Sequence, residues 1–146
     1  MAQEHRSKYH GTNARAGLSE ALLTIFAVGG SALMNVGLKL YFHRQRPDVS
    51  WALAHESSFS FPSGHSVAAI CLYGILAYVL IARVKSLSAR AVILGTAVLL
   101  VLGIGLSRIF LGVHYPSDVA AGYLAGSIWL LTVISSDLKY RRHQAR

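Results

Sequence analysis

The segment Ala91–Leu111 reads AVILGTAVLLVLGIGLSRIFL, and its first charged residue is Arg108, close to the C-terminal end. A helix needs roughly 20 predominantly apolar residues to cross the hydrocarbon core of a bilayer. This segment therefore predicts a transmembrane helix. Three further segments, 21–42, 66–82 and 119–136, are similarly apolar. We predict an all-α integral membrane bundle of four transmembrane helices.

The composition of the whole chain agrees with a membrane protein. Of its 146 residues, 53% are apolar and only 14% are charged, against about 25% charged in ordinary soluble domains. The length allows one domain, and a soluble domain of this composition would lack the charges to cover its surface. The net charge of +8 comes from short basic clusters between apolar runs, so we expect no nucleic-acid partner. Cys71 is the only cysteine, which excludes an intramolecular disulfide and a cysteine-based metal site.

The basic residues predict the orientation of the chain. Most of them lie in a polar N-terminal segment (1–20), in the loop between the second and third spans, and in a basic tail (138–146) that follows the membrane core (21–137). Cytoplasmic loops carry an excess of Lys and Arg, so we predict that both termini are cytoplasmic. On the fourth span, Gly122 and Gly126 form a small-xxx-small pair. Such pairs are typical of close helix packing, either within one chain or between chains, so this one allows a homo-oligomer through the Gly122/Gly126 face.

Polar and ionisable residues gather at the opposite, extracytoplasmic ends of the spans. Ionisable groups at membrane depth are costly and indicate function. Glu56 and Asp48, in the long loop 43–62, are interpreted as solvated loop carboxylates. The candidate site residues are Lys39, Arg46, Ser63, Gly64, His65, Ser107, Arg108, His114 and Asp118.

Part of this set is suited to a phosphate group. Lys39, Arg46 and Arg108 supply three positive charges, and guanidinium groups match phosphate oxygens in geometry. The turn at Ser63 and Gly64 precedes the second span, where free backbone N–H groups at a helix N-terminus favour an anion. The sequence therefore predicts a phosphate-binding pocket.

Two histidines in the set are suited to phosphoryl transfer. Asp118 follows His114 by four residues, so its carboxylate can bond one ring nitrogen and leave the other free to attack. His65 can then serve as the general acid for the leaving oxygen. A metal site built from these three residues is the alternative, but the three nearby cations would repel a divalent ion. We therefore expect no metal and no cofactor.

At these positions the sequence resembles the type 2 phosphatidic acid phosphatase family, whose wider superfamily includes the vanadium haloperoxidases. The resemblance covers residues 39–118 and rests on three motifs in order. The first is Lys39, six residues, then Arg46-Pro47, and the second is Pro62-Ser63-Gly64-His65. The third is Ser107-Arg108, five residues, His114, three residues, then Asp118.

The resemblance implies a role for each motif residue. His114 would carry a phosphohistidine intermediate, oriented by Asp118, and His65 would protonate the leaving group. The phosphoryl oxygens would be bound by Lys39, Arg46, Ser63, Gly64, Arg108 and Ser107. Family members are typically metal-independent and inhibited by vanadate. Membrane members usually have six spans with the motifs on the last four, and the four spans of this chain correspond to those.

The expected function is hydrolysis of a lipid phosphate at the extracytoplasmic surface of the cell membrane. The expected partners are the bilayer and the lipid substrate. The chain looks most like bacterial members, and the favoured reaction converts undecaprenyl diphosphate to undecaprenyl phosphate and phosphate. Phosphatidic acid and phosphatidylglycerol phosphate are alternative substrates. A non-catalytic lipid-phosphate binder or transporter is an alternative from another class. A haloperoxidase-like vanadate enzyme and a structural membrane subunit are less favoured.

Overall fold

The structure, a computed structural model, describes residues 2–54 and 56–144, with side chains described from residue 18 onward. It contains four helices, α1 (Ala2–Phe42), α2 (Gly64–Arg83), α3 (Leu87–Phe110) and α4 (Pro116–Gln144), and no strand among the residues described. Four spans are long and apolar enough to cross a membrane: Leu18–Phe42, Gly64–Arg83, Leu87–Phe110 and Pro116–Gln144. The prediction of an all-α bundle with four transmembrane helices is confirmed.

The helices extend beyond the apolar segments from which they were predicted. α1 continues back through the polar N-terminal segment, and α4 continues through the beginning of the basic tail. The predicted divisions after residues 20 and 137 therefore do not coincide with helix ends. This is expected physically, because hydropathy marks the part of a helix that lies in lipid and not the hydrogen-bonded helix itself.

Residues with a positive φ follow the C-terminal ends of α1 and α3, on the side predicted to be extracytoplasmic. α1 ends at Phe42, where His43 adopts a left-handed conformation (φ 48°) and its N–H donates to the carbonyl of Lys39 at 3.1 Å. This is a helix C-cap that glycine more often occupies. After α3, Gly112 has a φ of 73°, and a Cβ there would lie 3.1 Å from both Val49 and Trp51. That position requires glycine for its conformation and for its space.

Helix α2 is the centre of the bundle, because each of the other three helices packs more extensively against α2 than against any other helix. A small core of Ala27, Ile75 and Val133 joins α1, α2 and α4. Trp129 on α4 reinforces it by donating from Nε1 to the carbonyl of Ala27 at 2.8 Å. The large apolar side chains on the outside, such as Leu33 and Leu99, are exposed, as expected of helices that face lipid.

The small-residue pair of α4 is used within the chain. A Cβ on Gly122 would lie 2.8 Å from the carbonyl oxygen of Ser63, and one on Gly126 would lie 3.0 Å from that of Val67. Both glycines are buried against α2. Of the two contacts that the pair allows, within the chain or between chains, the structure shows the one within the chain, and α2 covers the Gly122/Gly126 face.

The fold brings four helix ends to one side of the bundle. The C-termini of α1 and α3 and the N-termini of α2 and α4 lie there, joined by the loops 43–63 and 111–115. Backbone hydrogen bonds tie these parts together: Ser63 donates to the carbonyl of Asp118 at 3.0 Å, and Leu53 donates to that of Leu111 at 3.2 Å. All the candidate site residues belong to these ends and loops.

Candidate active site

The carboxylate of Asp118 accepts three hydrogen bonds at this end of the bundle. It is fully buried in the first turn of α4. Its Oδ1 accepts from Nη1 of Arg44 at 2.8 Å. Its Oδ2 accepts from the hydroxyl of Ser60 at 2.5 Å and from the backbone N–H of Tyr115 at 2.9 Å. Three donors therefore stabilise a buried charge that would otherwise be costly.

His114 lies beside this carboxylate and is also buried. Its Nδ1 is 3.3 Å from Oγ of Ser60 and 3.5 Å from Oδ2 of Asp118. Its Nε2 faces the other way, 3.3 Å from Nη1 of Arg46. The two ring nitrogens thus have separate surroundings, one toward the buried carboxylate and the other toward a cation.

Burial lowers the pKa of His114 to about 4, and the Arg46 guanidinium acts in the same direction, against the opposing effect of Asp118. Desolvation disfavours the imidazolium, and a nearby positive charge disfavours it further. The imidazole is therefore neutral at physiological pH. A neutral imidazole is the form with a lone pair available for attack on phosphorus.

The guanidinium of Arg46 is held from several sides by the loops. Its Nη1 donates to the carbonyl of Val113 at 2.8 Å, and its Nε donates to that of Ser58 at 2.7 Å. Its Nη2 pairs with Oε2 of Glu56 at 2.6 Å. The side chain is therefore oriented before any ligand binds, which reduces the entropy lost on binding an anion.

A pocket of about 300 Å³ opens next to Arg46. Its lining comes from α1, the long loop and the start of α2, namely Lys39, Glu56, Ser58, Gly64, His65 and Ala68. The ammonium of Lys39 donates to the carbonyl of Phe59 and lies 3.4 Å from Oγ of Ser58. Arg108, Arg46 and Lys39 all act electrostatically on the His65 ring. Three cations and two histidines from separate segments are thus brought to one end of the bundle.

The hydroxyl groups of two predicted phosphate ligands, Ser63 and Ser107, do not line this pocket. The hydroxyl of Ser63 is fully buried and accepts from Ser66 at 3.1 Å. The hydroxyl of Ser107 donates to the carbonyl of Ile104 at 2.7 Å and accepts from Nε of Arg108 at 3.2 Å. In this structure Ser63 ties the start of α2 to α4, and Ser107 orients Arg108. Gly64 lines the pocket, and its missing Cβ allows the close approach of Asn35.

The sequence interpretation missed three residues of this network. Arg44 and Ser60 were not singled out, although both bond Asp118. Glu56 was interpreted as a solvated loop carboxylate, and that interpretation is wrong, because Glu56 lines the pocket and pairs with Arg46. The only available signal was position, since Arg44 lies inside the first motif and both Glu56 and Ser60 lie between the first two motifs.

No three His, Cys, Asp or Glu side chains in the described part of the chain are grouped so as to hold a metal ion. The carboxylates that are present have other partners, because Asp118 bonds Arg44 and Ser60 while Glu56 pairs with Arg46. Metal independence remains a prediction, which activity in the presence of a chelator would test.

Sequence comparison identifies the family. The sequence model of the PAP2 superfamily matches residues 20–142. The chain therefore belongs to the PAP2 superfamily, and it is a multi-pass membrane protein. The resemblance inferred from the three motifs is confirmed.

Individual relatives agree with this assignment. The chain is 40% identical to phosphatidylglycerophosphatase B of Bacillus subtilis over 129 residues, which cover 87% of this chain and 63% of the relative. It is 37% identical over 120 residues to lipid A 1-phosphatase of Rhizobium johnstonii, covering 75% of this chain and 45% of the relative. It is 37% identical over 87 residues to the bacitracin transport permease protein BcrC of Bacillus licheniformis, covering 60% of this chain and 38% of the relative.

A solved structure has the same fold. The crystal structure of a transmembrane PAP2-type phosphatidylglycerolphosphate phosphatase from Bacillus subtilis superposes with a TM-score of 0.75 at 39% identity. The match covers 81% of this chain and 59% of that structure. The chain thus spans about three fifths of the length of this structure and of phosphatidylglycerophosphatase B.

Proposed function

We propose that this chain is a membrane lipid phosphatase that hydrolyses a phosphomonoester or diphosphate of a lipid through a phosphohistidine at His114. The observation that carries the proposal is the position of a neutral imidazole nitrogen, Nε2 of His114, 3.3 Å from the Arg46 guanidinium. A phosphoryl group that binds Arg46 would lie within reach of that nitrogen. Membership of the PAP2 superfamily and the phosphatase names of relatives support this reading.

The first chemical step transfers the phosphoryl group to the protein. Lys39, Arg46 and Arg108 bind its oxygens and stabilise the charge that spreads over them in the transition state. Nε2 of His114 attacks phosphorus, and the bond from phosphorus to the leaving oxygen breaks. His65 donates a proton to that oxygen, so a neutral alcohol or a protonated phosphate leaves.

The second step releases phosphate. A water molecule attacks phosphorus from the side that the leaving group has vacated, and the P–N bond to His114 breaks. His65, deprotonated after the first step, accepts the proton of the attacking water. Inorganic phosphate leaves, and both histidines return to their starting states.

The lipid carried by the phosphate is a second part of the proposal. The sequence analysis favours undecaprenyl diphosphate, whereas the relative matched over 87% of this chain is a phosphatidylglycerophosphatase. Both substrates present a terminal phosphate to the same cations. A panel with phosphatidylglycerol phosphate, phosphatidic acid and undecaprenyl diphosphate distinguishes them through kcat/KM.

The orientation is also proposed: an extracytoplasmic site with cytoplasmic N- and C-termini. The described basic residues at the end opposite the site include Arg83, Lys85, Arg90, Lys139 and Arg142, and such an excess marks the cytoplasmic side. Cysteine introduced at exposed Leu53 should react with an impermeant maleimide in intact cells, whereas cysteine at exposed Leu87 should not. The reverse pattern contradicts the orientation.

Phosphate release in detergent tests the enzymatic proposal. Activity should survive a chelator, be blocked by vanadate, and fall by at least 1,000-fold in His114→Ala, while His143→Ala, at the far end of α4, stays at the wild-type rate.

One relative is named a transport permease, so a lipid-phosphate binder or transporter is the second candidate. That candidate predicts that His114→Ala retains lipid binding and that the wild type releases no phosphate.

A further inference from the structure

Ser60 lies between the two residues expected to form a direct pair. Its Oγ is 2.5 Å from Oδ2 of Asp118 and 3.3 Å from Nδ1 of His114, whereas the direct distance between Nδ1 and Oδ2 is 3.5 Å. Nδ1 of His114 has hydrogen-bond geometry toward Oγ of Ser60, whereas its longer contact with Oδ2 of Asp118 is an ion-pair distance only. We infer that Ser60 is a positioning residue that links Asp118 to His114 and selects the tautomer in which Nε2 is free to attack. This inference rests on the proposed function.

Counting protons gives the tautomer. A serine hydroxyl has one proton to donate, and an ionised carboxylate can only accept. The proton of Ser60 is therefore donated to Asp118, so toward His114 the same hydroxyl can only accept. Nδ1 of His114 must then carry the ring proton, which leaves Nε2 with its lone pair.

The other side of the ring gives the same answer independently. Nη1 of Arg46, 3.3 Å from Nε2, belongs to a guanidinium that can only donate. A protonated Nε2 would place two donors against each other at this position. Both neighbours of the ring therefore favour the Nδ1–H tautomer with a bare Nε2.

The backbone holds Ser60 firmly enough for this role. Its own N–H donates to the carbonyl of Arg44 at 2.8 Å, and the residue is completely buried. Arg44 in turn donates to the other oxygen of Asp118 at 2.8 Å. Ser60, Arg44 and Asp118 thus form a closed set of hydrogen bonds, and their burial separates the hydroxyl from bulk solvent.

Kinetics of two Ser60 variants give the first test. Ser60→Ala should lower kcat by roughly 10- to 100-fold, the effect of losing one hydrogen bond to a charged group. KM should stay within about twofold, because Ser60 does not line the pocket. Ser60→Thr, which keeps the hydroxyl, should restore most of kcat. Ser31→Ala is the matched control: it removes another buried hydroxyl, which donates to its own helix at Val28, and should leave kcat unchanged.

The tautomer gives a second test that needs no turnover. In protein labelled with ¹⁵N-histidine, the two His114 signals, assigned by their loss in His114→Ala, should show a protonated Nδ1 and a bare Nε2. Ser60→Ala should shift the population toward the Nε2–H form, and Ser31→Ala should not. A wild-type spectrum with protonated Nε2 overturns the inference even if Ser60→Ala fails to fold. So does Ser60→Ala with wild-type kcat and an unchanged spectrum.

The two tests also separate this inference from the proposed function. If the wild type releases no phosphate from any lipid, the proposed function fails, and the spectrum still decides whether Ser60 selects the tautomer. If the wild type is active, His114→Ala is inactive and Ser60→Ala is fully active, the proposed function stands and the role of Ser60 is rejected.

Discussion

Arg44 donates from Nη1 to Oδ1 of Asp118 at 2.8 Å, across 74 residues of sequence. The same guanidinium lies 4.3 Å over the ring of Tyr115 and donates to the hydroxyl of Ser117 at 2.8 Å. Arg44 therefore fastens the loop after α1 to the start of α4. It also supplies a positive partner for a carboxylate that is itself fully buried.

Replacement of Arg44 should weaken both the site and the fold. In Arg44→Ala, Oδ1 of Asp118 loses a charged donor, so we expect kcat to fall about 10- to 100-fold and stability to fall by about 1–3 kcal/mol. Arg44→Lys should restore part of both. Arg141→Ala breaks another ion pair, that of Arg141 with Asp137 at the opposite end of α4, and should leave kcat at the wild-type value. Phosphate release and thermal melting in detergent check these values, and an active, stable Arg44→Ala contradicts them.

The acid limb of the pH profile should report His114. With a pKa of about 4, the imidazole is neutral and nucleophilic above that pH and becomes protonated below it. We expect the His114 contribution to kcat/KM to be constant above about pH 5 and to fall about tenfold per unit below pH 4. A limb attributable to His114 near pH 6.5 would contradict the effect of burial.

Arg46 should set part of that pKa. Its positive charge lowers the pKa of His114, so Arg46→Gln should raise the pKa and move the acid limb to higher pH. The absolute rate should also fall, because Arg46 is proposed to bind phosphate, so the informative measurement is the position of the limb. An unmoved limb would show that the two groups do not interact electrostatically.

Glu56 should compete with an anionic ligand for Arg46. Its carboxylate occupies Nη2 of Arg46 at 2.6 Å, while Arg46 is also held by the carbonyls of Ser58 and Val113. Glu56→Gln should therefore leave the guanidinium in place and remove a negative charge from the pocket. We expect vanadate to inhibit about three- to tenfold more tightly, as for a change of about 1 kcal/mol.

Asp48 is the matched control for this charge effect, because it lies exposed in the same loop. Asp48→Asn should leave the inhibition constant unchanged. Weaker vanadate inhibition in Glu56→Gln would instead mean that Glu56 orients Arg46 for binding.

Gly122 should tolerate no side chain. A Cβ at this position would lie 2.8 Å from the Ser63 carbonyl oxygen and 2.8 Å from Cβ of Ser66. Gly122→Ala should destabilise the protein by about 1–3 kcal/mol, as overpacking does, and should lower activity by displacing the start of α2. Gly103→Ala, where a Cβ meets nothing within 4 Å, should leave the melting temperature unchanged or raise it. Equal melting behaviour of the two variants would contradict this packing.

Much of the fold could be predicted because membrane insertion depends on a property of the linear chain. A run such as Ala91–Leu111 is long and apolar whatever surrounds it, so four spans followed from hydropathy alone. The helix ends were predicted less well, since α1 and α4 continue as helices into polar segments. The use of Gly122 and Gly126 also depended on packing, because a small-residue pair can serve either an internal or an external helix contact.

Lys39, His65 and His114 could be predicted as site residues from residue type and motif spacing. Both are properties of the linear sequence and do not depend on the fold. The side-chain directions of Ser63 and Ser107, and the partners of Arg44, Ser60 and Glu56, could not be named in that way. Ser60 and Asp118 are separated by 58 residues, and they meet because the loop before α2 is hydrogen-bonded to Arg44 and to the start of α4. Hydrogen bonds depend on distance and angle, and in this protein the tertiary structure sets both.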